Sequence, residues 1–135
     1  HHKKERDMAR TARRALTAEA ILAADDLPTI WVQTPEWGKG AGVWIRGMTG
    51  AERDQFEMRV SGLDGGGNQV KMDYTNLRAS LVASCVVDDD GKRLFSGDQV
   101  EALGRKSGAV LDRLFDASRK ASGIGEDDVK ALAKN

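Results

Sequence analysis

The residues most able to do chemistry are three consecutive carboxylates, Asp88-Asp89-Asp90, closed by Gly91. Calcium loops are built from such oxygen ligands, with Asp at loop position 1, Gly at 6 and a bidentate Glu at 12. Setting Gly91 at position 6 puts Val86 at position 1 and Gly97 at position 12, and neither is a ligand. The run therefore reads as a solvated turn. Gly65-Gly66-Gly67 and Gly104-Arg105-Lys106-Ser107 lack the glycine spacing of a phosphate-cradling loop and read as linkers. The only histidines are His1 and His2, which read as a purification-tag remnant ahead of a native start at Met8. Without an internal imidazole, a serine nucleophile lacks its usual base. The neighbouring carboxylates Glu52 and Asp54, and Asp88 and Asp90, read as caps and surface groups. Cys85 is the only cysteine and sits in an uncharged run, so it reads as an inert buried thiol. One cysteine makes neither an intramolecular disulfide nor a Cys-based metal site. No catalytic residue, metal site or cofactor is expected.

The chemistry that remains is binding. Trp31, Trp37 and Trp44 all lie in or beside one predicted hairpin. For Trp31 and Trp44 two readings stay open: packing over the helices on one hairpin face, or an aromatic anchor for a protein partner. Trp37, in the turn, is the better partner candidate. Val110, Leu111, Leu114 and Phe115 form a second apolar stripe at helical spacing. These seven residues are the candidate partner-binding set.

The elements that would position them follow from local signals. Thr17 caps a short helix over 17–25, with Ile21 and Leu22 as its apolar contacts. Thr29–Thr34 and Ala41–Arg46 read as strands joined by a Pro/Gly turn. A lone hairpin is marginal in water, so it must pack on helices or pair with another chain. Thr49 and Glu52 have capping-box spacing and start a helix from about Gly50 to Val60, with Phe56 and Val60 inward and Arg53, Asp54 and Arg59 outward. Residues 61–68 read as a flexible loop. Leu77 to Val87 reads as a central helix, capped by Thr75 or Asp73. It has no charged residue from Ala79 onward, as expected of a helix surrounded by other elements. Further helices are predicted over 98–103, capped by Ser96, over 107–121, ended by Gly123, and from about Glu126. The fold class is α+β and predominantly α-helical, an N-terminal β-hairpin followed by a bundle of about four to five short helices.

Composition sets the outer bounds. The chain has 135 residues, 31 % charged and 40 % hydrophobic, which suits a soluble globular domain. Lys plus Arg and Asp plus Glu number 21 each, so no global field draws in nucleic acid. Locally, Lys3, Lys4, Arg6, Arg10, Arg13 and Arg14 face only Glu5 and Asp7, leaving the tail net +4 and the remainder net −4. That arm supports a rival reading as a small nucleic-acid-binding module, set against its reading as a solvated and partly artificial terminus. No uncharged run approaches a membrane span, and no signal-peptide pattern opens the chain.

Three segments together resemble the tail assembly chaperones of long-tailed bacteriophages and prophages, of the siphophage type. They are LTAEAILAADDLPT (Leu16–Thr29), VWIRGMTGAERDQFE (Val43–Glu57) and Leu77–Val129. Their order and spacing carry the resemblance. It implies a non-enzymatic factor of the host cytoplasm that binds the tape-measure protein and keeps its long apolar helices soluble. Tube subunits then polymerise around it, and the factor is absent from the finished particle. It also implies a second, longer product made by frameshifting. The partners expected are the tape-measure protein, the tail tube protein and further copies of this chain, with no membrane. Residues 1–16 would be tag remnant and basic arm, and 17–135 a single chaperone-like domain. A structural tail component, of head–tail connector or tube type, is the alternative.

Overall fold

The fold grows outward from the uncharged run. In the computed structural model, which describes residues 13–61, 76–125 and 127–128, every side chain from Ala79 to Cys85 is buried. In chain order the elements are helix α1 (Ala18–Ala23), strands β1 (Thr29–Gln33) and β2 (Gly42–Arg46), and helices α2 (Gly50–Ser61) and α3 (Leu77–Cys85). Strand β3 (Val86–Val87) and helices α4 (Val100–Leu103) and α5 (Gly108–Ala121) follow. Helix α3 is walled by α5, α4 and α2. Its small residues let those neighbours approach closely, and its buried hydroxyls find partners. Ser84 Oγ donates to the Ser80 carbonyl at 2.9 Å, and Arg59 Nη1 donates to Ser80 Oγ at 3.1 Å. Arg59, expected to point outward, thus has its guanidinium turned back onto the central helix.

The central helix is two residues shorter than its apolar run suggests. Val86 and Val87 leave it and pair with β2, in register Ile45↔Val86 and Trp44↔Val87. Two β-branched residues favour extended backbone, and the free edge of β2 supplies the hydrogen bonds. The expected hairpin is therefore part of a three-stranded antiparallel sheet, order β1-β2-β3. The third strand covalently ties the sheet to α3, which answers the instability of a lone hairpin. Ile45 and Val86 meet Phe56, Leu81, Val82, Val100, Leu103, Val110 and Leu114 in one core. The architecture is α+β and dominated by helices.

Several end signals act as expected. The Thr49 N–H donates to Glu52 Oε1 at 2.8 Å and the Glu52 N–H to Thr49 Oγ1 at 3.1 Å, a reciprocal capping box. Phe56 follows inward, 1 % exposed. Gly123, at φ +70°, ends α5 as the left-handed residue of a Schellman turn, in which the Ile124 N–H reaches the Arg119 carbonyl at 3.0 Å. Helix α1 begins as predicted, Thr17 Oγ1 accepting from the Ala20 N–H at 3.1 Å. Its packing does not follow. Ile21 and Leu22 are 56 % and 87 % exposed, and α1 buries no residue. One six-residue helix offers too little surface to dock by itself. The 62–68 part of the glycine loop, the Thr75 and Asp73 caps and Glu126 lie outside the described residues.

Candidate partner-binding surface

Strand alternation decides which way the tryptophans face. Ile45, Val43 and Val32 pack against the helices, so Trp31 and Trp44, paired across the strands, point to the opposite side of the sheet. They do share one hairpin face, but it is the outer one, and the expectation that they cover the helices is corrected. The β-branched side chains fit flush on α5, and the indoles pair with each other instead. Their centroids are 5.0 Å apart at 65°, edge to face. Trp31 is 45 % exposed and Trp44 half-buried. Trp31 lies over Gly42, where a Cβ would come within 2.4 Å of its Cζ2. Trp44 Nε1 donates to Asp89 Oδ1 at 3.0 Å. The acidic turn is thus a scaffold for the indole: Asp88 Oδ1 accepts from the Asp90 and Lys92 N–H groups at 2.8 and 3.0 Å.

Trp37 sits at the other end of the hairpin, in a short 3-10 turn, Pro35–Trp37. The turn is pinned to α5. Arg113 Nη1 and Nη2 donate to Glu36 Oε1 and Oε2 at 2.9 and 2.6 Å, and Nη1 also donates to the Gln33 carbonyl at 3.1 Å. Hydrogen bonding by that guanidinium holds the Glu36 carboxyl at about 2, below its ordinary 4.5. Beside the pinned turn opens an apolar cleft of about 450 Å³, lined by Trp37, Phe95, Gln99, Ala102, Leu103 and Lys106. A volume of roughly 300–1,000 Å³ is usual for a ligand-holding cleft.

The family model for phage tail assembly chaperones matches residues 15–134. The chain belongs to that family. The solved structure of the bacteriophage HK97 tail assembly chaperone is also similar, with a TM-score of 0.53 and 20 % identity. The match covers 76 % of this chain and 94 % of that one, and at this identity it speaks for a shared fold. No curated protein matches the chain.

In this chain the expected binding residues separate. Trp37 lines the cleft, and Trp31 and Trp44 form the outer sheet face. Val110, Leu111 and Leu114 are 0 %, 5 % and 1 % exposed, and Phe115 is half-buried against the same core. Val110, Leu111 and Leu114 are used by the chain's own α3 and sheet, which leaves Phe115 as the part of the stripe still open to solvent. Phe95, Gln99, Ala102, Leu103 and Lys106 were missed as cleft residues. Helix α4 is one turn long and shows no periodicity, and nothing local links it to Trp37. Cys85 is fully buried, and desolvation raises its thiol pKa, as an inert core thiol requires. No cluster of three or more His, Cys, Asp or Glu suited to a metal occurs among the described residues, and no helix there is long and apolar enough to cross a membrane.

Proposed function

We propose that this chain works in the host cytoplasm, binding the tape-measure protein without catalysis and assisting assembly of the tail tube around it. The observation that supports this best is the preset apolar cleft beside Trp37, in a chain of the tail assembly chaperone family. An apolar helix held against such a cleft is shielded from water, and the cleft is small enough for tube subunits to displace it. The test is capture of the tape-measure protein on co-expression, with Trp37→Ala expected to weaken capture at least about tenfold, as for an interface hot spot. A wild-type chain that captures nothing rejects the reading. The coding DNA is also expected just upstream of a very long tape-measure gene.

One observation favours the structural-component alternative. Strand β1 is uncharged and, among the described residues, has no strand partner on its outer side. Subunits of a ring or tube could pair there. Mass spectrometry of purified particles decides, since finding this chain in virions supports a structural part and its absence supports the chaperone.

A further inference from the structure

We propose that the cleft between Trp37 and α4 accepts a partner helix, and that Lys106 selects one carrying a carboxylate beside its apolar stripe. This deepens the tape-measure reading and rests on it. Trp37, Phe95, Ala102 and Leu103 make the walls apolar. The N–H groups of the turn before Trp37 and of the turns on either side of α4 are bonded locally. The Trp37 N–H bonds to the Thr34 carbonyl, Gln99 to Ser96, Gly104 to Val100 and Lys106 to Leu103, at 2.9 to 3.1 Å. No open ladder is offered there, so an extended peptide would lay unpaired N–H and C=O groups against apolar walls. A helix arrives with those groups paired and inserts side chains at i, i+3 and i+4.

Lys106 is the one charged residue among those that line the cleft. Glu36 is neutralised by Arg113, and Glu101 pairs with Arg105 at 3.2 Å. Asp98 accepts from the Ser96 hydroxyl and keeps its charge, but it does not line the cleft. Lys106, on the cleft wall, and Lys39, two residues beyond Trp37, have no carboxylate partner among the described residues. A cation without a carboxylate partner among the described residues thus stands on the apolar wall itself, and the carboxylates of Glu36 and Glu101 are already paired. That arrangement favours a carboxylate next to an apolar anchor and opposes a lysine there.

The test uses two synthetic amphipathic helical peptides with the same leucine stripe, one flanked by glutamates and one by lysines, titrated against the full chain by calorimetry at low salt. The glutamate peptide should bind about threefold to tenfold tighter, the range of a rim charge pair swapped for repulsion. Lys106→Glu should remove or invert that preference. Ala102→Trp, which fills the cleft, should weaken both peptides at least about tenfold while the melting temperature and circular dichroism stay native. Equal binding of the two peptides, binding of neither, or full binding by A102W overturns the proposal. The two readings fail separately. Tape-measure capture that A102W leaves intact sinks the groove alone. A wild-type chain that discriminates the peptides yet captures no tape-measure protein sinks the partner assignment alone.

Discussion

Leu81→Ala and Leu22→Ala remove the same three carbon atoms from two helices of one chain, and the structure gives them opposite consequences. Leu81 is 0 % exposed in the middle of α3, with buried residues on both sides of it in sequence. The lost transfer term is about 2.4 kcal/mol, at roughly 0.8 kcal/mol per buried carbon. Surrounded by α2, α4 and α5, the site cannot collapse fully, and the residual cavity brings the total to about 2.7–5 kcal/mol. Leu22 is 87 % exposed on α1, so its truncation should change stability by no more than about 0.5 kcal/mol. Urea unfolding of both variants, followed by circular dichroism, measures the difference at unchanged m-value. A loss under about 1 kcal/mol for L81A would show that α3 is not the centre of the fold. A loss above about 1 kcal/mol for L22A would show that α1 docks in solution, contrary to its exposure.

The Glu36–Arg113 fork makes a pH prediction with a definite sign. A depressed carboxyl pKa contributes stability that is complete above the unfolded value and lost as pH falls, here from 4.5 through about 2. The Glu36 side-chain carbon should therefore titrate by NMR near 2, and the stability gap to Glu36→Gln should narrow across that window; a midpoint near 4.5 rejects the fork. Gly42→Ala puts a methyl within 2.4 Å of Trp31 Cζ2 and 2.7 Å of the Val32 carbonyl oxygen, so the indole must swing off its partner. Loss of the edge-to-face contact should cost about 0.5–1.5 kcal/mol and red-shift the tryptophan emission; an unchanged spectrum and melting temperature would show the ring is not seated there.

What could be read from the sequence was what neighbouring residues decide. Thr49 and Glu52 are three apart, and the capping box needs nothing else. Phe56 and the α5 stripe repeat at helical period over several turns, so their burial was legible, although the stripe's use as core rather than as interface was not. Strand β3 was hidden because two residues have no period, and Val86 and Val87 continue an apolar run that suits a buried helix equally well. Only the free edge of β2, some forty residues earlier in the chain, turns them into a strand. The cleft was hidden for the same reason: Trp37 meets Phe95 and α4 only after the sheet and α5 have placed the hairpin tip.

The tryptophan faces show why composition misleads here. Both faces of the hairpin are apolar, Ile30, Val32, Val43 and Ile45 on one and Trp31 and Trp44 on the other, so alternation alone gives no inside. Bulk suggests the indoles, yet the branched face packs on the helices and the large aromatics stay wet. Leu16, Ile21, Leu22, Ile30, Trp31, Trp37 and Leu94 are all more than a third exposed. With equal numbers of acidic and basic side chains, no net repulsion keeps copies of such a chain apart. Ion pairs such as Arg113–Glu36 and Arg78–Asp112 share the surface with these side chains, and keeping exposed apolar areas small and apart limits sticking. On the proposed role this is a working compromise. Merging the patches would strengthen the hold on an apolar helix and, by the same physics, the hold of one copy on another.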